Sequence, residues 1–318
     1  MTLNIHFTCH KFAIAISDRM VTANRAKFDT QSNKTIVTVV EDAAVTISYT
    51  GTAYIGVLPT DVWLARLIMA DADRYLKVNA ITYQYKFLPR LLRNLMSRIV
   101  VGLKNEITTN FQFRKEYLEI GISGHSIERL YINPYQVIIQ KQARSSCMQF
   151  SKGHQATKYE EMPFYVWVSG GWPYAKPKIH SEMMSALRSV DMYRDPDAQS
   201  KVTDILYAAL QKYAENEPTI STDCMLVIHD VSAMKSKIEF KSLSEYVQND
   251  IGSILCQIIE IRYSPWILGG KTVLPPLEIS ANMNLTLGGY PILLKGAAET
   301  IGKSKVFFIG PQSRPKRM

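Results

Sequence analysis

Thr2 follows the initiator methionine, Asp18 lies sixteen residues after it, and Lys34 lies sixteen residues further on. With Met1 removed, as aminopeptidases do readily before a small residue, Thr2 carries a hydroxyl and a free α-amine together. An unperturbed α-amine titrates at about 7.7–8.0, so it can take a proton near neutral pH where a lysine cannot. A hydroxyl activated by such an amine is a nucleophile for acyl transfer. The chemistry also needs a fixed cation near the oxygen, a carboxylate to hold that cation, and an N–H to meet the oxyanion. Lys34, Asp18 and Gly51 are candidates for these three parts. Losing one oxyanion donor costs about 3–4 kcal/mol at comparable sites.

The surrounding elements would have to bring these residues together. Leu3, Ile5 and Phe7 alternate with polar neighbours, and "FAIAIS" reads as a more fully buried strand, so the chain opens with a hairpin turning at "CHK". Asp18 at the end of the second strand then lies beside Thr2. The polar stretch "SDRMVTANRAKFDTQSN" reads as a loop leading to a second hairpin, "KTIVTVV" (34–40) and "AAVTISYTG" (43–51). Lys34 starts this hairpin and Gly51 ends it. Thr60 reads as the N-cap of a helix carrying Val62, Leu64, Leu67 and Ile68, and a second helix is expected over about 84–107. Strand pattern returns at 117–123, 129–142 and 163–171, followed by helices at about 177–190 and 200–214. Strands at 221–230 and 237–242 close the series. Runs of strands alternating with helix pairs suit antiparallel sheets with helices on their outer faces, not a doubly wound parallel sheet. After residue 242 the character changes. A helix is expected over 243–263, then an irregular segment with an added strand or two over an edge.

Length and composition bound the class. The 318 residues are 47% hydrophobic and 20% charged, with a net charge of +9. The basic residues are scattered apart from 86–98 and 302–318, a pattern of solvated faces that points away from nucleic acid. No apolar run reaches 18 residues, so no membrane span is expected, and nothing at the N-terminus reads as a signal peptide. The four cysteines, Cys9, Cys147, Cys224 and Cys256, are far apart with no C-x-x-C pair, the usage of a reducing cytoplasm.

Rival motifs are weaker. "GISGH" (121–125) approaches a nucleophile elbow but ends in His125 and lacks the strand-turn-helix sequel. His6, Cys9 and His10 offer too few ligands for a metal, and His180 and His229 read as ordinary surface or core histidines. The paired glycines at 269–270 and 288–289 lack a phosphate loop's context.

Thr2, "AISDR", "SNKTIV" and "ISYTG" before a helix, at these spacings, resemble the proteasome β-subunit type of N-terminal-nucleophile (Ntn) hydrolase. "VWVSGGWPYA" resembles that family's Gly-Ser-Gly turn, and "TISTDCMLVI" its closing strand. The resemblance implies an α+β fold, a four-layer αββα sandwich of two antiparallel sheets flanked by helix pairs. It implies an Ntn-hydrolase domain over residues 1–242, leaving 243–318 as a C-terminal extension packed on or beside the core. Thr2 would be nucleophile and base, Asp18 and Lys34 the supporting pair, Gly51 the oxyanion donor and Ser169 a hydroxyl near the α-amine. The implied activity is threonine-dependent hydrolysis of a peptide or other amide bond, with no cofactor or metal and with a homo-oligomer among the allowed assemblies. Side-chain specificity would come from a pocket near Met20, Gln31 and Thr52. Two alternatives stay open: an inactive scaffold subunit of the same fold, and an Ntn amidase acting on a small molecule. The chain departs from the family pattern where Arg19 directly follows Asp18 and where Val168 precedes Ser169-Gly170. The stretch from Lys34 to Gly51 is also about three residues longer, and the Asp-x-x-Ser before the closing strand is missing. Glu215 or Glu217 would be the substitute for its carboxylate.

Overall fold

Alternation in the first two strands sets the architecture. In β1 (Asn4–Cys9) and β2 (Phe12–Asp18) every residue is buried, yet the two faces differ. Leu3, Ile5, Phe7, Phe12, Ile14 and Ile16 join one apolar cluster, while Asn4, His6, Thr8, Ala13, Ala15 and Ser17 occupy the alternate positions. A strand buried on both sides needs a partner layer for each face.

The computed structural model describes residues 2–23, 26–29, 32–69, 83–84, 89–128, 131–144, 147–152, 164–170, 177–231 and 235–241, then 262–263, 265–269, 272–274, 278–279, 283–287 and 290–295. Beyond the opening hairpin come β3 (Val21–Ala23), β4 (Ala26–Asp29), β5 (Thr35–Val40), β6 (Ala43–Gly51), β7 (Tyr54–Ile55) and β8 (Leu58–Pro59). Next are α1 (Thr60–Met69), β9 (Tyr83–Gln84), α2 (Leu92–Thr109) and α3 (Phe111–Lys115). They lead to β10 (Leu118–Glu128), β11 (Tyr131–Lys141), β12 (Met148–Lys152) and β13 (Phe164–Ser169). A second helix pair, α4 (Pro177–Arg188) and α5 (Ala198–Asn216), precedes β14 (Cys224–Asp230) and β15 (Lys235–Lys241). The C-terminal part adds β16 (Arg262–Tyr263), β17 (Trp266–Gly269), β18 (Thr272–Leu274), β19 (Glu278–Ile279), β20 (Met283–Leu287) and β21 (Tyr290–Lys295).

Two large sheets result, ordered β13-β1-β2-β14-β15-β21-β20 and β12-β11-β10-β6-β5-β17-β18-β9. Both are mixed: β17 runs parallel to β5 and β21 parallel to β15, where purely antiparallel sheets were expected. The first sheet shares its apolar cluster with α4 and α5, which contribute Ile179, Met183, Leu187, Val202, Leu206, Leu210 and Tyr213 at helical spacing. The second sheet packs Val45, Ile47, Leu118, Ile120 and Ile122 against α1 and α2, with Trp266 and Leu268 of β17 in the same cluster.

Three expectations change. The helix expected from residue 84 starts at Leu92, where Asp42 Oδ1 accepts the Leu92 N–H at 2.7 Å and supplies a cap from the turn between β5 and β6. The loop after Asp18 holds the short hairpin β3–β4. The helix expected over 243–263 lies outside the described residues except for Arg262–Tyr263, which is strand. Among the described residues no helix is long and apolar enough to cross a membrane.

Candidate active site

Thr2 is buried at the start of β1, where three elements meet. Thr50 at the end of β6 donates its hydroxyl to the Thr2 carbonyl at 3.2 Å. Ser169 pairs with Asn4, and Gly170 follows at φ +104° so close that a Cβ there would sit 2.2 Å from the Thr2 carbonyl oxygen. Only glycine can make that approach in that backbone conformation. The Ser169 hydroxyl is fully buried beside Thr2 and has no hydrogen-bond partner among the described residues.

Asp18 and Lys34 form the charged centre of this cluster, and both are buried. The Lys34 ammonium donates to Asp18 Oδ1 and Oδ2 at 3.1 Å each, and also to the Met20 carbonyl. Asp18 Oδ1 accepts the Leu3 N–H at 2.7 Å, while Oδ2 accepts those of Met20 at 3.2 Å and Ser221 at 3.5 Å. One carboxylate therefore fixes the residue after Thr2, the cation and the turn entering β14. A buried pair survives when its remaining donors and acceptors are filled in this way. Arg19, also buried, pairs with Asp223 at 3.5 Å; its N–H donates to the Asp223 carbonyl and its own carbonyl accepts from Ser32. It ties the 219–223 turn to the segment that delivers Lys34.

Gly51 is exposed at the end of β6 with φ +101°, and a Cβ there would fall 2.3 Å from the Tyr117 carbonyl oxygen. The position requires glycine, and it stands one residue from the Thr50–Thr2 contact. Of the proposed specificity residues, Met20 and Thr52 are buried here and Gln31 lies outside the described residues. Neither glutamate near the missing Asp-x-x-Ser reaches Asp18. Glu217 accepts from the Thr219 hydroxyl at 2.5 Å and Glu215 is exposed. Ser221, Thr50 and Asn4, whose amide donates to the Tyr49 carbonyl at 2.9 Å, were not singled out in the sequence. Their signal was the polar phase of alternating strands and the "TISTD" turn.

The rival motifs resolve differently. Ser123 of "GISGH" lies inside β10 and bonds His6 Nδ1 at 2.5 Å, with no nucleophile turn. His10 stacks on Tyr193. Burial pushes the Cys9 and Cys224 thiols up, so neither offers a thiolate. No group of three or more His, Cys, Asp or Glu side chains suited to a metal occurs among the described residues.

No family model and no curated protein matches this sequence. Among solved structures, the chain is similar to Anbu (ancestral beta-subunit) from Yersinia bercovieri at a TM-score of 0.46 and 10% identity, covering 72% of this chain and 81% of that one. It is also similar to Anbu from Hyphomicrobium sp. strain MC1 at 0.44 and 10%, and to the Gly-1 mutant of that protein at 0.45 and 9%, each over 72% of this chain and 82% of the other. At such scores and identities the site's own geometry has to carry the functional reading.

Proposed function

We propose that this chain is a threonine-dependent hydrolase of amide bonds, working through Thr2 once Met1 is removed. The observation that carries the reading is the Asp18 carboxylate, which holds the Lys34 ammonium and the Leu3 N–H at once. The same side chain thereby fixes a cation and the backbone next to the hydroxyl. In the mechanism, Thr2 Oγ attacks the carbonyl carbon while its proton passes to the Thr2 α-amine, directly or through water. The Gly51 N–H meets the oxyanion. Collapse breaks the C–N bond, the leaving amine takes the proton from the α-ammonium, and an ester remains on Thr2. Water, deprotonated by the amine, then hydrolyses that ester.

This reading places the chain in the proteasome-like Ntn class, with the four-layer αββα arrangement and residues 1–242 as the hydrolase unit. The 243–318 segment would then be an addition, with Met20, Gln31 and Thr52 near the specificity pocket. The strands that β17 and β21 add to the two sheets favour, as a second reading, an Ntn amidase acting on a small amide as a monomer or dimer. Light scattering separates the two, since a ring of six or seven copies would support the peptidase.

The primary test is intact mass after incubation with a peptide epoxyketone, which closes a stable ring only on a residue carrying both a hydroxyl and a free amine. Loss of Met1 with a single adduct, absent in Thr2→Ala, is expected. Retained Met1 without adduct would overturn the nucleophile and favour a scaffold.

A further inference from the structure

Glu119 is a buried carboxylate that the mechanism above leaves unused. It lies on β10 directly opposite Thr50 of β6, and the Thr50 hydroxyl holds the Thr2 carbonyl at 3.2 Å. Side chains paired in this way across antiparallel strands have their Cβ atoms about 4.5–5.5 Å apart. Glu119 points away from the helices: its neighbours Leu118 and Ile120 belong to the apolar cluster beneath α1 and α2, whereas Glu119 does not. Two residues along the same face, Gly121 lies against the Trp167 ring, and Trp167 precedes Ser169 by two residues on β13. Glu119 therefore stands level with Thr2 and Ser169 in the space between the sheets.

Its hydrogen bonds are one-sided. The Tyr117 hydroxyl and the Gln140 amide both donate to Oε2 at 2.5 Å, and Oε1 carries no hydrogen bond among the described residues. Two donors clamp one oxygen and leave the other for a partner that is not a side chain of β10 or β11. Ser169 Oγ, buried and without a hydrogen-bond partner among the described residues, occupies the same level. Burial raises the Glu119 pKa, and the Tyr117 and Gln140 hydrogen bonds oppose that rise.

We propose that Glu119 is a positioning residue for the Thr2 α-amine, with its Oε1 facing the ammonium that forms when the amine takes the hydroxyl proton. It would supply the carboxylate missing from the turn before β14. The inference rests on the Thr2 reading. A carboxylate there favours the protonated amine, so it raises the amine's pKa and sets the acid limb of reactivity.

The test measures the α-amine itself. Full-length protein is prepared with Met1 removed, by added aminopeptidase where needed, and the N-terminus is labelled with trace acetic anhydride across pH 5–9. Peptide mass analysis gives the amine's titration in wild type and in Glu119→Gln, which retains an acceptor for Tyr117. The expected result is a midpoint lower in Glu119→Gln by about one pH unit, a tenfold change in the protonation equilibrium. In parallel, the acid limb of epoxyketone adduct formation moves down by the same amount. Glu119→Asp, which keeps the charge, should restore much of the wild-type midpoint. Identical midpoints in wild type and Glu119→Gln would overturn the proposal and leave Glu119 as a tie between β10 and β11. Adduct absent from wild type with the midpoint still shifted would sink the nucleophile reading while keeping the carboxylate beside the amine.

Discussion

Two kinds of layer can be compared in this molecule, built from opposite faces of the same strands. Against the helices, β1, β2, β6 and β10 present Ile5, Ile14, Ile47 and Ile120 in continuous apolar clusters. Between the sheets, the alternate positions carry His6, His125, His229, Thr46, Ser123 and Thr50. Polar bonds cross from sheet to sheet there: His6 to Ser123, His229 Nε2 to Thr46 Oγ1 at 2.7 Å, and His125 Nε2 donating to the Cys9 carbonyl at 2.7 Å. Apolar contact tolerates small shifts, but hydrogen-bonded groups fix one sheet against the other. The candidate site opens at one end of this inner layer, so whatever holds the sheets in register also holds Thr2 against Thr50.

Acid should separate the layers most strongly. Burial lowers the pKa of His6 and His229 to about 3 and that of His125 to about 4. In the unfolded chain each titrates at about 6.5. The native state thus binds fewer protons below that value, and the stability held above about pH 6.5 is lost as pH falls toward 4. With three such groups the loss approaches about 4 kcal/mol per pH unit around pH 5. Urea midpoints from pH 7 to 4.5 measure it, and His229→Gln should flatten the slope by about a third; an unchanged slope would remove the inner layer from the explanation.

A pair of substitutions tests whether the layers divide stability from chemistry. Asp18→Asn leaves the Lys34 ammonium buried without its counter-charge, at a cost of about 3–5 kcal/mol. Ile122→Ala in the outer layer should cost a comparable amount, about 2–5 kcal/mol, through transfer and cavity terms. Denaturant titration reads both. Only Asp18→Asn should also abolish epoxyketone adduct in the folded fraction, and equal loss in both would break the distinction. The smallest effect belongs to the surface. Glu182 and Lys212 pair at 2.8 Å with both side chains about half exposed, so Glu182→Gln should leave the denaturant midpoint essentially unchanged.

Sequence reading reached the Leu3–Asp18–Lys34 cluster because its parts are local. The opening hairpin follows from period-two alternation, and that hairpin alone brings Asp18 beside Leu3. The inner layer was harder to read, because His6 finds Ser123 at a separation of 117 residues and Thr46 finds His229 at 183. Taken singly, His6 looked like a weak ligand and His229 like an ordinary core residue. Glu119 carried a signal that went unused: a charge in the polar phase of the otherwise apolar "YLEIGIS". The start of α2 was misread because Leu88 and Leu91 continue the helical period, whereas the cap comes from Asp42, fifty residues away. The strand β12 was missed because it is short and its Met148–Phe150 stretch shows no alternation of burial.

The parallel pairing of β17 with β5 has a consequence in time. Ile36 waits for Trp266, 230 positions further along the chain. At about 5–20 residues per second of synthesis, that edge of "TIVTVV" stays open for roughly 10–50 s on the ribosome. A β-branched, uncharged edge invites pairing with another nascent chain for as long as it is bare. The yield of folded protein should therefore depend on how soon residues 266–269 emerge, after the last residues of the candidate site, at 221–223, have been made.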